Sequence, residues 1–280
     1  MPQGRRIRLD QMLVERGQVS SRSQAQELIG AGRVTVDGAP APKPSRLVTR
    51  ASEVVVRHPA QTWASRGGHK LAGALADLDV DPAGLHCLDA GASTGGFTDV
   101  LLSGGARRVV AVDVGYGQLV WRLRQDPRVV VIERTNVRHL SPDDVRGPLA
   151  ELVVADLSFI SLRTVLPALV GLATADARFL LMVKPQFEGG PARVGRGGVV
   201  RAPHVWRAVL AEVVAGAAQL GLGLGGVAVS RLSGPAGNRE FFLLLGRGLH
   251  VHAPDAVLDE VVSDAASGIG AVTTGQATQP

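Results

Sequence analysis

The segment that decides the fold is Leu85-His-Cys-Leu-Asp-Ala-Gly-Ala-Ser-Thr-Gly-Gly-Phe-Thr98. A short apolar run ends on Asp89, a glycine-rich turn follows, and a helical pattern of apolar residues begins at Phe97. Glycines let a backbone turn sharply and approach a ligand closely. The segment therefore predicts a strand, a ligand-binding loop and a helix, with ligand contacts from Asp89, Gly91, Ser93, Gly95 and Gly96.

A second apolar run, Arg108 to Val112, ends on Asp113. A carboxylate at the tip of the second strand suits the two hydroxyls of a ribose, as in dinucleotide-binding folds. The glycine loop matches neither Gly-x-Gly-x-x-Gly nor the Gly-Lys-Ser/Thr of a phosphate loop, so it has no feature that would bind a pyrophosphate. A nucleoside without phosphates predicts S-adenosylmethionine as the cofactor.

Two other interpretations of the glycine loop stay open. Gly91 to Gly95 also fits Gly-x-Ser-x-Gly, the nucleophile elbow of hydrolases. That elbow normally follows several strands and a glycine-rich oxyanion loop, whereas this loop follows the first predicted strand of its domain. The loop could also be a plain turn between a strand and a helix, although Asp89 and Asp113 together make that interpretation less attractive.

Length and composition restrict the class of protein. A chain of 280 residues has room for one catalytic domain and a small accessory domain. The single cysteine, Cys87, excludes an intramolecular disulfide and a zinc site with several cysteines, as is typical of a reducing cytoplasm. The chain has no His-Glu-x-x-His motif, no apolar run of roughly 18 residues and no signal peptide. We therefore expect a cytoplasmic protein with no metal and no membrane association.

Basic charge is concentrated at the start of the chain. Residues 1–60 contain ten Lys or Arg and five Asp or Glu, so they carry the whole formal charge of +5. Their patterns predict two short helices and a small sheet, which resembles the RNA-binding domain named after ribosomal protein S-four. Ordinary solvated surface charge is the alternative. The residues that we expect to face an RNA backbone are Arg8, Arg22, Arg33, Lys43 and Arg46.

Residues 61–64 are predicted to be a linker, residues 65–268 a second domain and residues 269–280 a flexible tail. In the second domain, strands alternate with helices, which predicts an α/β fold with a doubly wound parallel sheet and a terminal hairpin. Predicted elements include a helix at 118–124 and a strand at 179–183. Ligands of such sheets bind beyond the carboxyl ends of the strands, so Asp156 and Lys184 should lie in the same cleft as Asp113.

Four ionisable residues define the expected chemistry: Lys70, Asp156, Lys184 and Glu240. Transfer of a methyl group from a sulfonium to a ribose oxygen requires an in-line approach and a positioned base. Two lysines with two carboxylates suit that reaction. Methylation of base amino groups usually involves Asn/Asp-Pro-Pro-Tyr, but this sequence has Asp156-Leu-Ser-Phe159. Methylation of a cytosine carbon needs a cysteine nucleophile, and Cys87 lies inside the first predicted strand.

Six motifs closely resemble the TlyA family, and the similarity spans nearly the whole chain. They are Ser65 to Leu71, Asp89 to Thr98, Asp113-Val-Gly-Tyr-Gly117, Asp156-Leu-Ser-Phe-Ile-Ser161, Val183-Lys-Pro-Gln-Phe-Glu188 and Gly237-Asn-Arg-Glu240. The resemblance implies a class I, Rossmann-like methyltransferase domain of the FtsJ type after the S-four-like domain. It further implies 2′-O-methylation of cytidine in ribosomal RNA, a catalytic set of Lys70, Asp156, Lys184 and Glu240, and Asn136 at the adenine edge. The linker departs from the family's Arg-Ala-Trp-Val pattern at Gln61 and Ala64.

The family also bears a haemolysin label, which supplies a rival function, a membrane-active toxin. The sequence contains no strongly amphipathic basic helix, no secretion signal and no hydrophobic hairpin, so we do not expect it to act on membranes. A third possibility is an RNA chaperone with an inactive methyltransferase fold. The expected partner is ribosomal RNA or a ribosomal subunit, and no obligate protein partner is evident.

Overall fold

The computed structural model describes residues 6–19, 21–57, 63–268 and 272–274. The chain divides into two compact units, Met1–Thr62 and Trp63–Pro280, which are described separately. The predicted linker therefore lies partly outside the described residues, since only Trp63 and Ala64 of its four positions are described. No helix in the described part of the chain is both long and apolar enough to cross a membrane.

The first unit contains two helices and two small sheets around one apolar core. Leu9, Met12 and Leu13 are buried on one face of the first helix, as the apolar spacing predicts. The second helix begins after Ser21, whose Oγ accepts the backbone N–H of Gln24 at 3.3 Å. The elements are β1 Ile7–Arg8, α1 Leu9–Glu15, α2 Arg22–Gly30, β2 Val34–Val36, β3 Ala39–Pro40, β4 Leu47–Val48 and β5 Val54–Val56.

The second unit is built on one sheet of eight strands. Several strands are almost uniformly apolar because helices cover both faces of the sheet. The strands are β6 His86–Ala90, β7 Arg108–Val112, β8 Val129–Ile132, β9 Ala150–Ala155, β10 Ala173–Val183, β11 Gly223–Val229, β12 Phe241–Gly246 and β13 Val272–Thr274. Their order across the sheet is β13-β11-β12-β10-β9-β6-β7-β8.

Helices on the two faces enclose two apolar cores. Leu71 and Leu101 are buried on one face, beneath the helices next to the glycine loop, and Leu166 and Val209 are buried on the other. The helices are α3 Arg66–Asp77, α4 Gly96–Ser103, α5 Trp121–Arg124, α6 Pro142–Val145, α7 Leu162–Gly171, α8 Pro185–Glu188, α9 Pro203–Ala218 and α10 Pro254–Ser267.

Strand direction brings the predicted catalytic residues to one edge of the sheet. Strands β6 to β10 are parallel, whereas β12 is antiparallel to both β10 and β11. Val183 is paired with Phe241, so Lys184 and Glu240 each lie one residue beyond the paired segment at the same edge. The predicted α/β fold with a terminal antiparallel hairpin is therefore confirmed.

The structure differs from the sequence-based elements at four places. The helix predicted at 118–124 is shorter and begins at Trp121, and the strand predicted at 179–183 begins at Ala173. Helix α10 was not expected, although Val257, Leu258, Val261 and Val262 form a buried stripe at helical spacing. Residues 272–274, within the predicted flexible tail, form β13 against β11, and the rest of 269–280 lies outside the described residues.

Candidate functional site

The glycine loop between β6 and α4 brings two strand ends together. Gly91 has a φ of 87°, and a Cβ atom there would lie 2.5 Å from the backbone oxygen of Asp156. A side chain at this position would therefore separate the tip of β6 from the tip of β9. Gly91 is required for a close approach of backbone to backbone, as well as for the turn.

Asp113 fixes the conformation of the loop from the neighbouring strand. Its Oδ2 accepts the backbone N–H of Ser93 at 2.8 Å, and its Oδ1 accepts the backbone N–H of Gly115 at 2.6 Å. Each carboxylate oxygen can accept a second hydrogen bond, so Asp113 can still bind ribose hydroxyls. Its place at the carboxyl end of β7 agrees with that role.

Two adjoining clefts open at this edge of the sheet, and both are lined by Gly91, Ser93 and Asp156. The first and larger cleft is also lined by Asp113, Gln118 and Asn136. The second is also lined by Ser65, Arg66, Lys70, Gly96 and Ser233. Five of the seven predicted cofactor residues, and Lys70, thus line these two adjoining clefts.

Two residues of the predicted cofactor set are placed differently. Asp89 is fully buried within β6 and lines neither cleft; Thr98 Oγ1 donates to its Oδ2 at 2.6 Å, while its Oδ1 has no partner among the described residues. Burial raises the pKa of Asp89 to about 7. Gly95 caps α4 with a φ of 99° and faces Leu119 and Leu123 instead of a cleft. Both residues support the loop from behind.

Lys184 and Asp156 form an ion pair at the tips of β10 and β9. Lys184 Nζ lies 2.5 Å from Asp156 Oδ1 and donates to Ser158 Oγ at 3.1 Å. The side chains retain 11% and 22% of their accessible surface. Asp156 lines both clefts, as predicted for the cleft of Asp113, whereas Lys184 lines neither and reaches them through its contact with Asp156. Sequence reasoning did not identify Ser158, although it lies two residues after Asp156.

Lys70 and Glu240 form a second and more deeply buried ion pair. Lys70 Nζ donates to Glu240 Oε2 at 2.5 Å, and the side chains retain only 9% and 1% of their accessible surface. Lys70 projects from α3, and Glu240 directly precedes β12. The four proposed catalytic residues are therefore joined in two pairs, one buried and one accessible.

Aromatic side chains beside the accessible pair were also missed. Phe159 is 90% exposed and has a φ of 64°, in the left-handed region that a non-glycine residue seldom adopts. Its ring centroid lies 5.0 Å from that of Phe187, and Lys184 Nζ lies 5.8 Å from the Phe187 ring. Their spacing could have identified them, because Phe159 follows Asp156 by three residues and Phe187 follows Lys184 by three.

Cys87 lies inside β6 and is 1% exposed. Burial raises the pKa of its thiol to about 12, so the thiolate required of a nucleophile is disfavoured. Within the described ranges, no group of three or more His, Cys, Asp or Glu side chains is placed to hold a metal ion.

The five basic residues singled out in the first unit fall into three groups. Arg8 and Arg22 both donate to the buried carboxylate of Asp10, at 2.9 and 3.0 Å, and those contacts lower the pKa of Asp10 well below its usual range. Arg46 donates to a backbone oxygen at 3.5 Å. Arg33 and Lys43 are exposed, and their side chains form no hydrogen bond or ion pair with another described residue.

Two protein families match the two units. Residues 63–247 match the FtsJ-like methyltransferase family, and residues 7–55 match the S4 domain. The first match covers most of the second unit and includes all four residues of the two ion pairs.

Individual proteins are similar over nearly the whole chain. The 16S/23S rRNA (cytidine-2′-O)-methyltransferase TlyA of Mycobacterium tuberculosis is 56% identical over 242 residues, which cover 86% of this chain and 90% of that protein. Hemolysin A of Brachyspira hyodysenteriae is 33% identical over 235 residues, covering 84% of this chain and 98% of that protein. A solved structure of a candidate hemolysin from Streptococcus thermophilus has a TM-score of 0.75 and 37% identity, covering 94% and 96% of the two chains.

Proposed function

Because the chain belongs to the FtsJ-like methyltransferase family, and within it to the TlyA group, we propose that it methylates the 2′-hydroxyl of a cytidine in ribosomal RNA. The observation that carries this proposal is the pair of lysine–carboxylate contacts beside two adjoining clefts. The larger cleft is lined by Asp113, whose carboxylate we assign to the ribose of the cofactor. The other cleft is lined by Lys70, which belongs to the buried pair with Glu240.

The larger cleft fits S-adenosylmethionine. Asp113 lies at the end of β7, where its two carboxylate oxygens can accept hydrogen bonds from the hydroxyls of a ribose. Asn136 lines the same cleft. At Gly91, a Cβ would meet the Asp156 backbone, so the absence of a side chain lets the loop lie against the tip of β9, where both clefts are lined by Asp156. We propose that Asp113, Ser93 and Gly91 hold the cofactor and that Asn136 faces its adenine. Gly96 would contribute from the adjoining cleft, and Asp89 and Gly95 would act through the loop. When bound, S-adenosylmethionine supplies an electrophilic methyl group on its sulfonium.

Lys184 is our proposed general base. Its Nζ contacts Asp156, which lines both clefts, at the carboxyl edge of the sheet, where it could accept the proton of a ribose hydroxyl. Asp156 and Ser158 orient the amine. To act as a base, Lys184 must lose its proton before transfer. Lys70 and Glu240, which are paired and buried, would orient the ribose without exchanging a proton with it.

The first unit would supply affinity for RNA. We propose that residues 1–60 are the RNA-binding domain and residues 65–268 the catalytic domain. Arg33 and Lys43 are available for phosphates, whereas Arg8 and Arg22 already bind Asp10 and can donate only their remaining N–H groups. A cytoplasmic location follows from this proposal, because assembling ribosomes would be its substrates.

A methyl-transfer assay tests the proposal. The full-length protein should transfer a tritiated methyl group from S-adenosylmethionine to ribosomal subunits or free ribosomal RNA, and ribose-methylation mapping should place the label on a cytidine 2′-oxygen. Binding without transfer would favour the RNA chaperone. Leakage of liposomes in a parallel assay, with no methyl transfer, would favour the membrane-active toxin suggested by the names of some relatives.

A further inference from the structure

We propose that Glu188 is a positioning residue that sets the geometry of the Lys184–Asp156 pair. This inference rests on the proposed function, since it concerns the residues to which that function is assigned. Glu188 is only 5% exposed, it contacts neither cleft, and it belongs to the Val183-Lys-Pro-Gln-Phe-Glu188 motif without an assigned role.

Both carboxylate oxygens of Glu188 bind the segment that follows Asp156. Its Oε1 accepts the backbone N–H of Leu162 at 2.6 Å, and its Oε2 accepts the hydroxyl of Ser161 at 2.5 Å. These two residues form the beginning of α7, where backbone N–H groups lack helical partners and a negative charge is favoured. Glu188 therefore caps a helix that belongs to a different segment of the chain.

The two segments joined by this cap each begin with one member of the accessible ion pair. Asp156 is followed by a five-residue connection to α7, and Lys184 is followed directly by α8, which ends at Glu188. At their near ends the segments meet through the ion pair, and midway they meet through Phe159 and Phe187. At their far ends the Glu188 carboxylate accepts from Ser161 and Leu162, and the Glu188 backbone oxygen accepts from Arg163 at 3.4 Å.

Because Glu188 is buried, loss of either hydrogen bond to its carboxylate would leave a polar atom without a partner from solvent. Desolvation raises the pKa of Glu188, although Ser161 and Leu162 oppose the shift. Arg163 is the nearest cation, 3.8 Å from Oε2, and its own side chain is 42% exposed. If the Glu188 carboxylate is removed, the segment after Asp156 loses its hydrogen bonds at Ser161 and Leu162. The strained φ of Phe159 in that segment would then no longer be held in place by these two bonds.

The test compares Glu188→Ala, Glu188→Gln and a matched control, Glu212→Gln, in the full-length protein. Glu212 is a nearby carboxylate that binds Arg163 and Arg193 but not the Asp156 segment. Single-turnover methyl transfer is measured from pH 6 to 10 at saturating RNA and S-adenosylmethionine. A second readout is the ¹³Cε resonance of Lys184, which is resolvable because the chain has three lysines and is assigned with Lys184→Arg.

We expect Glu188→Ala to transfer at roughly one-tenth to one-hundredth of the wild-type rate, since a misplacement of about 1 Å can cost up to about 100-fold. The pH dependence of the rate and the Lys184 resonance should both change, while binding of S-adenosylmethionine is kept. Glu188→Gln, which can accept from Leu162 and donate to Ser161, should restore at least half of the rate and the wild-type resonance. Glu212→Gln should behave as wild type.

The inference is overturned if folded Glu188→Ala shows a wild-type rate, or a slow rate with unchanged pH dependence and Lys184 resonance. It is also overturned if Glu188→Gln is as slow as Glu188→Ala. If Glu188→Ala does not fold, Ser161→Ala decides, because an unchanged resonance there contradicts the coupling. If the wild-type protein methylates no RNA, the proposed function fails, and the Lys184 resonance alone still decides the role of Glu188.

Discussion

Lys70 Nζ lies 2.5 Å from Glu240 Oε2, although the two residues are 170 positions apart in the chain. The contact joins the first helix of the catalytic unit to the start of β12, and both side chains are almost fully removed from solvent. Lys184 and Asp156 are equally close, yet more accessible. The buried pair therefore links two distant parts of the chain at the site, and the Lys184–Asp156 pair is the one to which we assign proton exchange with the substrate.

Removal of one partner of the buried pair should destabilise the fold. Lys70→Met leaves the Glu240 carboxylate buried without a cation, and such changes typically cost about 3 to 5 kcal/mol of the free energy of unfolding. The double variant Lys70→Met with Glu240→Leu should recover most of that loss but no methyl transfer. Urea denaturation measures both effects.

Arg231→Met is the matched control, because Arg231 pairs with Asp77 while its side chain is 59% exposed. Surface ion pairs contribute about 0 to 1 kcal/mol, so this variant should unfold near the wild-type midpoint. If Lys70→Met is no less stable than Arg231→Met, the buried pair does not fix the site.

Cofactor affinity should depend on Asp113. Asp113→Ala removes a charge-assisted hydrogen bond, which typically contributes about 1.5 to 3 kcal/mol, so calorimetry should show weaker binding of S-adenosylmethionine. Glu133→Gln is the control, because Glu133 accepts the N–H of Gly117 outside the cleft. Equal affinity of Asp113→Ala and wild type would remove Asp113 from the cofactor site.

The sequence predicted the sheet and its functional edge well, because a strand–glycine loop–helix pattern and carboxylates at strand tips are local signals. It could not predict which lysine pairs with which acid. Pairing depends on the register of β10 with β12 and on the packing of α3, and both are long-range properties.

The sequence pattern also could not predict which strand-end carboxylates are buried. Asp89 and Asp113 each end an apolar run, yet Asp89 is fully buried behind the loop and Asp113 faces the cleft. Likewise, the sequence predicts the same RNA-facing role for Arg22 and Arg33, but of these two only Arg22 binds Asp10. Strand-end position therefore identifies candidate residues, while the direction of each side chain decides which of them contact a ligand.

Stability should fall with rising pH because of Asp89. Its pKa of about 7 in the folded protein lies above the value of about 3.9 expected in the unfolded chain. Between these values the folded state holds a proton that the unfolded state has lost, so the free energy of unfolding decreases by up to about 1.4 kcal/mol per pH unit. The contribution is complete below about pH 4 and lost above about pH 7.

Asp89→Asn mimics the protonated acid at every pH and isolates this effect from the other titrating groups. Its free energy of unfolding should match that of wild type near pH 3, below both pKa values, and exceed it near pH 8. Chemical denaturation at both values gives the difference. A constant difference between the two proteins across this range would contradict the buried, protonated state of Asp89.

RNA affinity should depend on Arg33 and Lys43, the two exposed basic residues of the predicted set that pair with no other residue among 6–19 and 21–57. The double variant Arg33→Ala, Lys43→Ala should weaken RNA binding and reduce the slope of log affinity against log salt by roughly 1.4 to 1.8, at about 0.7 to 0.9 per phosphate contact. Its melting temperature should not change. Arg22→Ala should lower the melting temperature, because Arg22 binds the buried Asp10. An unchanged salt slope in the double variant would show that Arg33 and Lys43 do not contact phosphates.

Replacement of Lys184 by arginine tests base catalysis directly. The chain has three lysines among 30 basic residues, and two of the three lie in the ion pairs of the site. Where positive charge alone is needed, this sequence uses arginine. An ammonium can lose its proton in a suitable site, but a guanidinium, with a pKa above about 12, effectively cannot. We propose proton transfer as the reason for a lysine at position 184.

Lys184→Arg should keep the fold, the pairing with Asp156 and the binding of both S-adenosylmethionine and RNA, yet lose methyl transfer nearly as completely as Lys184→Ala. Lys70→Arg should be milder, because Lys70 is buried against Glu240 and orients without exchanging a proton. Single-turnover transfer at saturating cofactor, from pH 6 to 10, measures each variant. A Lys184→Arg protein with a near wild-type rate would show that Lys184 contributes charge alone, and Asp156, 2.5 Å away, would then be the group that accepts the proton.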